Sequence, residues 1–225
     1  MRGRGQSAAA SAFPACLAVK THVYVDGFNL YYGALRGTGF KWLDIAEMCR
    51  LLLPGDDIGR IAYFTARVNG RPTDPEQPQR QQAYLRALRT IPSLDIVYGQ
   101  FLTKSVTMPL AGSPPGARQA ARVIKTEEKG SDVNLATHLL WDGFRGQYEA
   151  AVLVTNDTDL LEPIRIVRRE LGRTVGILHP HTHPSMMLLR HATFVKPIRK
   201  GVLSASQFPA VLHDEHGRFT KPASW

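Results

Sequence analysis

Apolar positions along this chain fall into short blocks whose period switches between two and about 3.6. Residues 22–26 (HVYVD) read as a strand ending at an Asp26-Gly27 turn, and 28–35 (FNLYYGAL) open either a helix or a turn. Residues 44–53 repeat apolar positions at helical spacing, with Asp44 as candidate N-cap and Pro54-Gly55 as the stop. A second strand follows over 60–68, then a polar, proline-rich loop over 69–79. The pattern next predicts a helix over 80–90, with Ala83, Tyr84, Ala87 and Leu88 on one face, and a third strand over 94–102. Residues 103–120 carry Gly112, Gly116 and three prolines with little period, which reads as a mobile loop or a long surface excursion.

The clearest amphipathic helix is 131–144, where Val133, Ala136, Leu140 and Phe144 lie near one stripe and Ser131 or Asp132 stands at the N-terminus. Residues 150–155 (AAVLVT) are continuously apolar, as in a central parallel strand buried on both faces. Asn156-Asp157-Thr158-Asp159 follows at once, then a helix to Leu171 stopped by Gly172. A strand over 174–178, a short helix over 185–190 and a final strand over 193–195 complete the alternation. This βαβα order predicts an α/β fold with a doubly wound, mostly parallel central sheet and helices on both faces, because parallel strands need crossovers and crossovers are usually helical. The expected organisation is a flexible leader over 1–20, one domain over 21–200 and an extended C-terminal tail over 201–225, with Trp225 as an anchor that could dock.

Composition narrows the partners. With 225 residues and 44% apolar content the chain can bury a sizeable core. The net charge of +9 favours a polyanion, either nucleic acid or an anionic membrane surface. Residues 60–125 hold ten Lys or Arg against three acidic residues, although solvated helix faces look similar. Cys16 and Cys49 are the only cysteines, so neither a disulfide framework nor a zinc cluster is suggested, and a reducing, cytoplasmic setting is expected. No apolar run approaches the roughly 20 residues that span a bilayer, so no membrane partner is expected.

Candidate chemistry lies at the strand ends. Ligands of open α/β sheets bind beyond the carboxyl ends of the strands, where Asp26 and the Asp157/Asp159 pair are expected. Asp132 adds a carboxylate from the start of the 131–144 helix. Each has an ordinary reading, as turn or cap, but their joint placement predicts one acidic site. Clustered carboxylates repel and raise one another's pKa unless a cation neutralises them, and hard oxygen donors suit Mg²⁺ or Mn²⁺.

Three segments, VYVDGFNLYYG (23–33), EEKGSDVNLATHLL (127–140) and LVTNDTDLLEPI (153–164), resemble the signature segments of NYN domains, a PIN-like nuclease group. The resemblance spans roughly residues 20–200. It implies a PIN-like fold, a pocket for one or two Mg²⁺ or Mn²⁺, and hydrolysis of RNA phosphodiester bonds, with homodimer formation by analogy. Carried over by position, Asp26, Asp132, Asp157 and Asp159 become the metal-holding and catalytic aspartates, with Asp26 and Asp157 as the leading direct ligands. Asn29, Thr155, Asn156 and Glu128 would line the same pocket, Asn29 orienting a water or ligand. Lys129, Lys125, Arg122 and Arg118 would meet RNA phosphates, as would Arg80, Arg86 and Arg89.

Other features stand beside this reading. His179, His181 and His183 could suggest a transition-metal site, but their prolines mark a loop and no cysteine joins them, favouring a surface or pocket-rim role. Tyr31 and Tyr32 could stack on unpaired bases or belong to the core. One rival is an RNA-binding or regulatory module without catalysis. Another is an oxidoreductase, since some bacterial proteins similar to this group carry a 6-hydroxy-3-succinoylpyridine hydroxylase label. Against it, the first strand ends in DGFNLYYG and no G-x-G-x-x-G dinucleotide turn follows.

Overall fold

A computed structural model of the chain describes residues 18–70, 72–112, 116 and 118–225. The flexible leader expected over 1–20 lies mostly outside these residues, as does Cys16; from Val19 onward the chain is already strand.

The strands β1 (Val19–Asp26), β2 (Asp56–Thr65), β3 (Leu94–Tyr98), β6 (Ala150–Val154), β7 (Thr174–His179) and β8 (Phe194–Pro197) form one sheet in the order β3-β2-β1-β6-β7-β8. Every neighbouring pair is parallel. This is the doubly wound α/β arrangement expected from the alternation. The first three strands wind outward from β1 in one direction and the last three wind from β6 in the other, so the winding reverses between β1 and β6. Those two strands pair from Thr21↔Ala150 to Val25↔Val154, which brings their carboxyl ends side by side at the topological switch point.

Two cores sandwich the sheet because strand side chains alternate. Val23, Val25, Val152 and Val154 face a core closed by α2 (Ile45–Leu52), α3 (Gln77–Leu88) and α7 (Lys200–Ala205), with Trp42, Met48 and Leu88 at its centre. Tyr24, Ala151 and Leu153 face the second core, closed by α4 (Ser131–Phe144), α5 (Leu161–Arg169) and α6 (Met186–His191) through Leu135, Leu139, Ile164, Val167 and Leu188. Local signals act as the sequence predicts at two ends. Asp44 caps α2 by accepting from the Glu47 amide at 3.1 Å. Gly172 has the left-handed φ of 64° beyond α5 that a β-carbon would strain.

Three expectations are corrected. The α4 stripe is rotated: Val133 and Phe144 are 69% and 66% exposed, and the buried face carries Leu135, Leu139 and Asp142. Apolar residues spread over more than one side of this helix, so period alone does not choose the buried side. The choice is made by the sheet, where the Tyr24 hydroxyl donates to Asp142 at 2.8 Å and Arg60 donates to the same carboxylate at 2.6 Å.

The third strand ends early, at Tyr98, and the expected loop is instead a two-stranded antiparallel ribbon of β4 (Gln100–Pro109) and β5 (Ala120–Lys129). Both faces of this ribbon are largely exposed. No buried face imposes an alternation of period two, which hid strands whose β-branched content (Thr103, Val106, Thr107, Val123, Ile124, Thr126) was nonetheless visible. The C-terminal segment is likewise folded and not extended. After α7 it forms a hairpin of β9 (Val211–Asp214) and β10 (Gly217–Thr220), and Trp225 packs against Trp42 and Tyr84 with ring centroids at 6.3 and 5.8 Å. No helix among the described residues is long and apolar enough to cross a membrane.

Candidate metal centre

At the end of β1 the chain turns directly into α1 (Gly27–Leu30), and Asp26 serves both elements. One carboxylate oxygen caps α1 by accepting from the Asn29 amide at 2.9 Å; the other accepts from the Thr155 hydroxyl at 3.3 Å. The tight entry needs Gly27, because a β-carbon there would lie 2.6 Å from the Tyr63 ring and 2.7 Å from the Phe64 carbonyl. Beyond Leu30 the helix widens into a π-helical segment, Tyr31–Leu35, in which the Arg36 amide reaches the Tyr31 carbonyl at 2.7 Å.

From β6 comes the second carboxylate. The fully buried Thr155 accepts from the Asp157 amide at 3.0 Å, and Asp157 accepts from the Asp159 amide at 3.0 Å, capping the short turn Thr158–Leu160. Asp132 is the third, in the first turn of α4, where the peptide dipoles favour negative charge. Carboxylate oxygens of Asp26, Asp132 and Asp157 all lie within 4.8 Å of one another. Asp159 stands outside this trio and is exposed; it supplies its amide to Asp157 and its charge to the surroundings of Asp132.

The trio sits in an electrostatically unfavourable place for bare carboxylates. Asp26 is only 5% exposed, and burial pushes its pKa up to about 6. Hydrogen bonds from Asn29 and Thr155 oppose that shift, while Asp132 and Asp157 add to it. Asp132 is also raised, first by burial and then by Asp157, Glu128 and Asp159. Three hard oxygen donors under mutual repulsion are the donor set that a Mg²⁺ or Mn²⁺ ion suits.

A hydrogen-bonded wall holds the trio in place. The Asn29 side-chain oxygen accepts from the Asn156 amide at 2.9 Å. It also meets His181 Nε2 at 3.1 Å, so that ring nitrogen is the one that carries the proton. Asn156 in turn accepts from the Ser185 amide at 2.6 Å and donates to the His183 carbonyl at 3.2 Å, tying the loop after β7 to the site. Glu128 accepts from both the amide and the hydroxyl of Ser131, at 3.1 and 2.7 Å, and so anchors the start of α4 one residue before Asp132.

Asn29 and Glu128 line the cavity in front of the aspartates, whereas Thr155 and Asn156 are not among its lining residues and act by holding those that are. The three histidines do not converge: His181 lines the cavity, the buried His179 donates to the His181 carbonyl at 2.9 Å, and His183 is exposed. His181 and Ser131 are the site residues that sequence reading missed as positioners. Their partners Asn29 and Glu128 were both singled out, but nothing in the chain links His181 to a residue 152 positions away.

The basic candidates divide by strand register. Ile124, Thr126 and Glu128 of β5 line the cavity with Phe101 and Thr103 of β4, so even-numbered β5 residues face it. Arg122 shares that face and donates to Ser105 at 2.6 Å. Lys125 and Lys129 lie on the opposite face, paired with Glu127 at 2.6 and 3.7 Å. Arg118 donates to the Ala120 carbonyl at 2.8 Å. On α3, Arg80 pairs with Asp74 at 2.6 Å, and just beyond it Arg89 donates to the Tyr98 hydroxyl at 2.6 Å. Arg86 pairs with Asp214 at 2.6 Å and lies over the Phe219 ring. All three arginines make intramolecular bonds, and Arg80 also lines the cavity.

The cavity holds about 1090 Å³ and runs from the aspartates to Tyr84 and Trp225. Over 236 residues the chain is 30% identical to 6-hydroxy-3-succinoylpyridine 3-monooxygenase HspA of Pseudomonas putida, covering 92% of this chain and 75% of that protein. A solved protein of unknown function from Vibrio parahaemolyticus matches 84% of this chain and 98% of its own at a TM-score of 0.54 and 15% identity, a likeness of fold alone. Residues 20–196 match the NYN domain, a span that includes all three segments and all three clustered aspartates, and the chain therefore belongs to the NYN domain family.

Proposed function

We propose that this protein is a ribonuclease that hydrolyses RNA phosphodiester bonds with the help of Mg²⁺ or Mn²⁺. The observation that carries the reading is the convergence of Asp26, Asp132 and Asp157 within 4.8 Å at the switch point of a sheet whose family is PIN-like. These three carboxylates would hold the ion. When bound, it supplies a lowered pKa for water and positive charge against the phosphoryl oxygens.

The chain's own residues do the positioning. Asp159 and Thr155 fix Asp157, Thr155 and the Asn29 amide fix Asp26, and Glu128 fixes the helix start that presents Asp132. The Asn29 carboxamide is held by Asn156 and His181, so its role is orientation and not proton transfer. Arg122 lies on the same face of β5 as the cavity-lining Ile124, Thr126 and Glu128, a position that supports a contact with a phosphate of the bound strand. The reaction adds water across one phosphorus–oxygen bond.

A second reading rests on the 30% identity to a monooxygenase acting on a pyridine compound. Here the α1 N-terminus, where a dinucleotide's pyrophosphate would sit in a Rossmann-type enzyme, is already capped by the Asp26 carboxylate. A second anion at that helix end would meet like charge.

The deciding experiment incubates purified protein with labelled single-stranded and structured RNA in Mg²⁺, Mn²⁺ or EDTA, beside Asp26→Asn and Asp157→Asn variants. Cleavage dependent on the divalent ion and lost in both variants is expected. Cleavage surviving both substitutions overturns the reading. RNA binding with no cleavage in any ion favours a non-catalytic module. NADH consumption with 6-hydroxy-3-succinoylpyridine and flavin-like absorbance favour the oxidoreductase.

A further inference from the structure

We propose that the aromatic end of the cavity is a subsite for one unpaired nucleobase, adjoining the phosphodiester that the aspartates would address. The proposal rests on the nuclease reading for the identity of that neighbour.

Volume makes the first argument. A liquid water occupies roughly 30 Å³, so an ion with a full shell of waters fills on the order of 200 Å³. The cavity holds about 1090 Å³, and most of it lies beyond what the acidic end requires. Among the residues that line it are five aromatic side chains, Tyr31, Tyr32, Tyr84, Phe101 and Trp225.

These rings are held in position. Tyr84 is buried with its hydroxyl donating to the Leu43 carbonyl at 2.9 Å, and Trp225 packs edge-on against it. Phe101 meets Phe28 edge-on at 5.6 Å, which ties the ribbon to the first turn of α1. Tyr32 is different, being 51% exposed with Tyr31 at its edge and the Arg36 guanidinium 5.5 Å from its centroid. A tyrosine ring left half in water beside a cation at a cavity wall has no core to fill. Such a ring is suited to stacking on a planar π-system, and Arg36 adds a cationic contribution.

Connectivity supplies the second argument. Tyr31 and Tyr32 sit on the helical segment that Asp26 caps, five and six positions beyond it. At about 1.5 Å per residue this places them on the order of 8 Å along the axis from the carboxylate, the scale of one nucleotide step. The π-helical widening at Tyr31–Leu35 occurs in the same segment, a distortion that recurs at functional sites.

Polar chemistry supplies the third. Asn69 and Gln77 line the same cavity, and carboxamides both donate and accept, as a base edge requires. Arg80 is already neutralised by Asp74, which suits a neutral ring at this place. Lys41, also lining the cavity, suits the phosphate attached to that base. A paired base has no free face to offer, so the occupant must be unpaired.

The test uses the full chain without divalent ions and a short oligouridylate carrying 2-aminopurine at each position in turn, with a matching abasic series. At one position the fluorescence should change on binding, and Tyr32→Ala should abolish that change. An abasic sugar at that position should weaken binding by roughly 5- to 100-fold. Because Tyr32 is half exposed, its variant should keep the wild-type circular dichroism spectrum and melting temperature. Position-independent fluorescence, or abasic substitutions that are neutral everywhere, would overturn the subsite. If RNA is cleaved in Mn²⁺ while the abasic series is neutral, the subsite fails and the nuclease stands. If the Tyr32-dependent change appears with no cleavage in any ion, the nuclease fails and the base subsite stands. Failure to bind the oligouridylate at all overturns the subsite.

Discussion

The side-chain oxygen of Asn29 accepts a hydrogen bond from the Asn156 amide at 2.9 Å, joining the turn after β1 to the turn after β6. Those turns deliver Asp26 and Asp157. Replacing Asn29 by alanine leaves the Asn156 amide and the His181 ring without their shared acceptor. Outer partners of this kind typically change metal affinity by about 10- to 100-fold, and an unsatisfied donor costs about 1–3 kcal/mol. Calorimetric titration of Asn29→Ala with Mn²⁺ should show that loss of affinity. Unchanged affinity would mean the tie does not orient the carboxylates.

Asp26 makes stability depend on pH in a defined direction. Its folded pKa of about 6 lies above the ordinary 3.8, so the folded state holds its proton more tightly than the unfolded chain. Stability from this group is complete below about pH 4 and is lost as pH rises through 6. At 1.36 kcal/mol per pKa unit the loss is roughly 3 kcal/mol. In EDTA at pH 7, Asp26→Asn should therefore melt higher than the wild type, by about 2–4 °C per kcal/mol recovered. Added Mn²⁺ should stabilise the wild type and leave the variant unmoved. A variant less stable than wild type in EDTA contradicts this account.

Gly99, at the junction of β3 and β4, leaves room for Glu128. A β-carbon there would meet the Glu128 carboxylate, the Lys129 carbonyl at 2.7 Å and the Ser131 amide at 2.9 Å. Gly99→Ala should displace the start of α4 and with it Asp132, weakening Mn²⁺ binding while far-ultraviolet circular dichroism is kept. Glu128→Gln, which keeps the shape and one acceptor, should weaken it less. Equal and unaltered affinities in both would detach this junction from the site.

Register separates the cations of the ribbon. Arg122 shares the cavity face of β5, and Lys125 and Lys129 do not. Arg122→Ala should lower RNA affinity and reduce the salt slope by about 1. Lys129→Ala should do markedly less. Filter binding across a range of salt concentrations measures both, and a reversed order would place the RNA on the other face.

Remote from the site, Asp142 accepts from Tyr24 at 2.8 Å and from Arg60 at 2.6 Å. Asp142→Ala removes one of the two carboxylates that the partly buried Arg60 meets among the described residues, leaving Asp95, and should destabilise the fold by roughly 3 kcal/mol. Tyr24→Phe removes one donor and should cost about 1 kcal/mol. Urea denaturation distinguishes them. Two similar values would show that the Arg60 pairing carries little weight.

Where a residue's role depends on its nearest neighbours in sequence, the sequence was enough. Asp44 caps its helix, Gly172 ends one, AAVLV is a strand buried on both sides, and Asp26 and Asp157 stand at strand ends, because each outcome follows from period, propensity or a bond to a residue a few positions away. The alternation of elements likewise predicts the parallel sheet. Three things were decided only by tertiary structure. The rotation of α4 was chosen by Tyr24 and Arg60 meeting Asp142, since apolar residues on more than one side of the helix leave period alone unable to pick the face. The ribbon of β4 and β5 has no buried side, so no alternation announced it or showed that Arg122 and Lys129 point apart. One acidic site was expected from the strand ends, but which of the four aspartates share it was decided by the fold: the winding reversal between β1 and β6 sets Asp26 beside Asp132 and Asp157, and Asp159 stays outside. Sequence determines which carboxylates stand at strand and helix ends; only the folded chain brings them within reach of one ion.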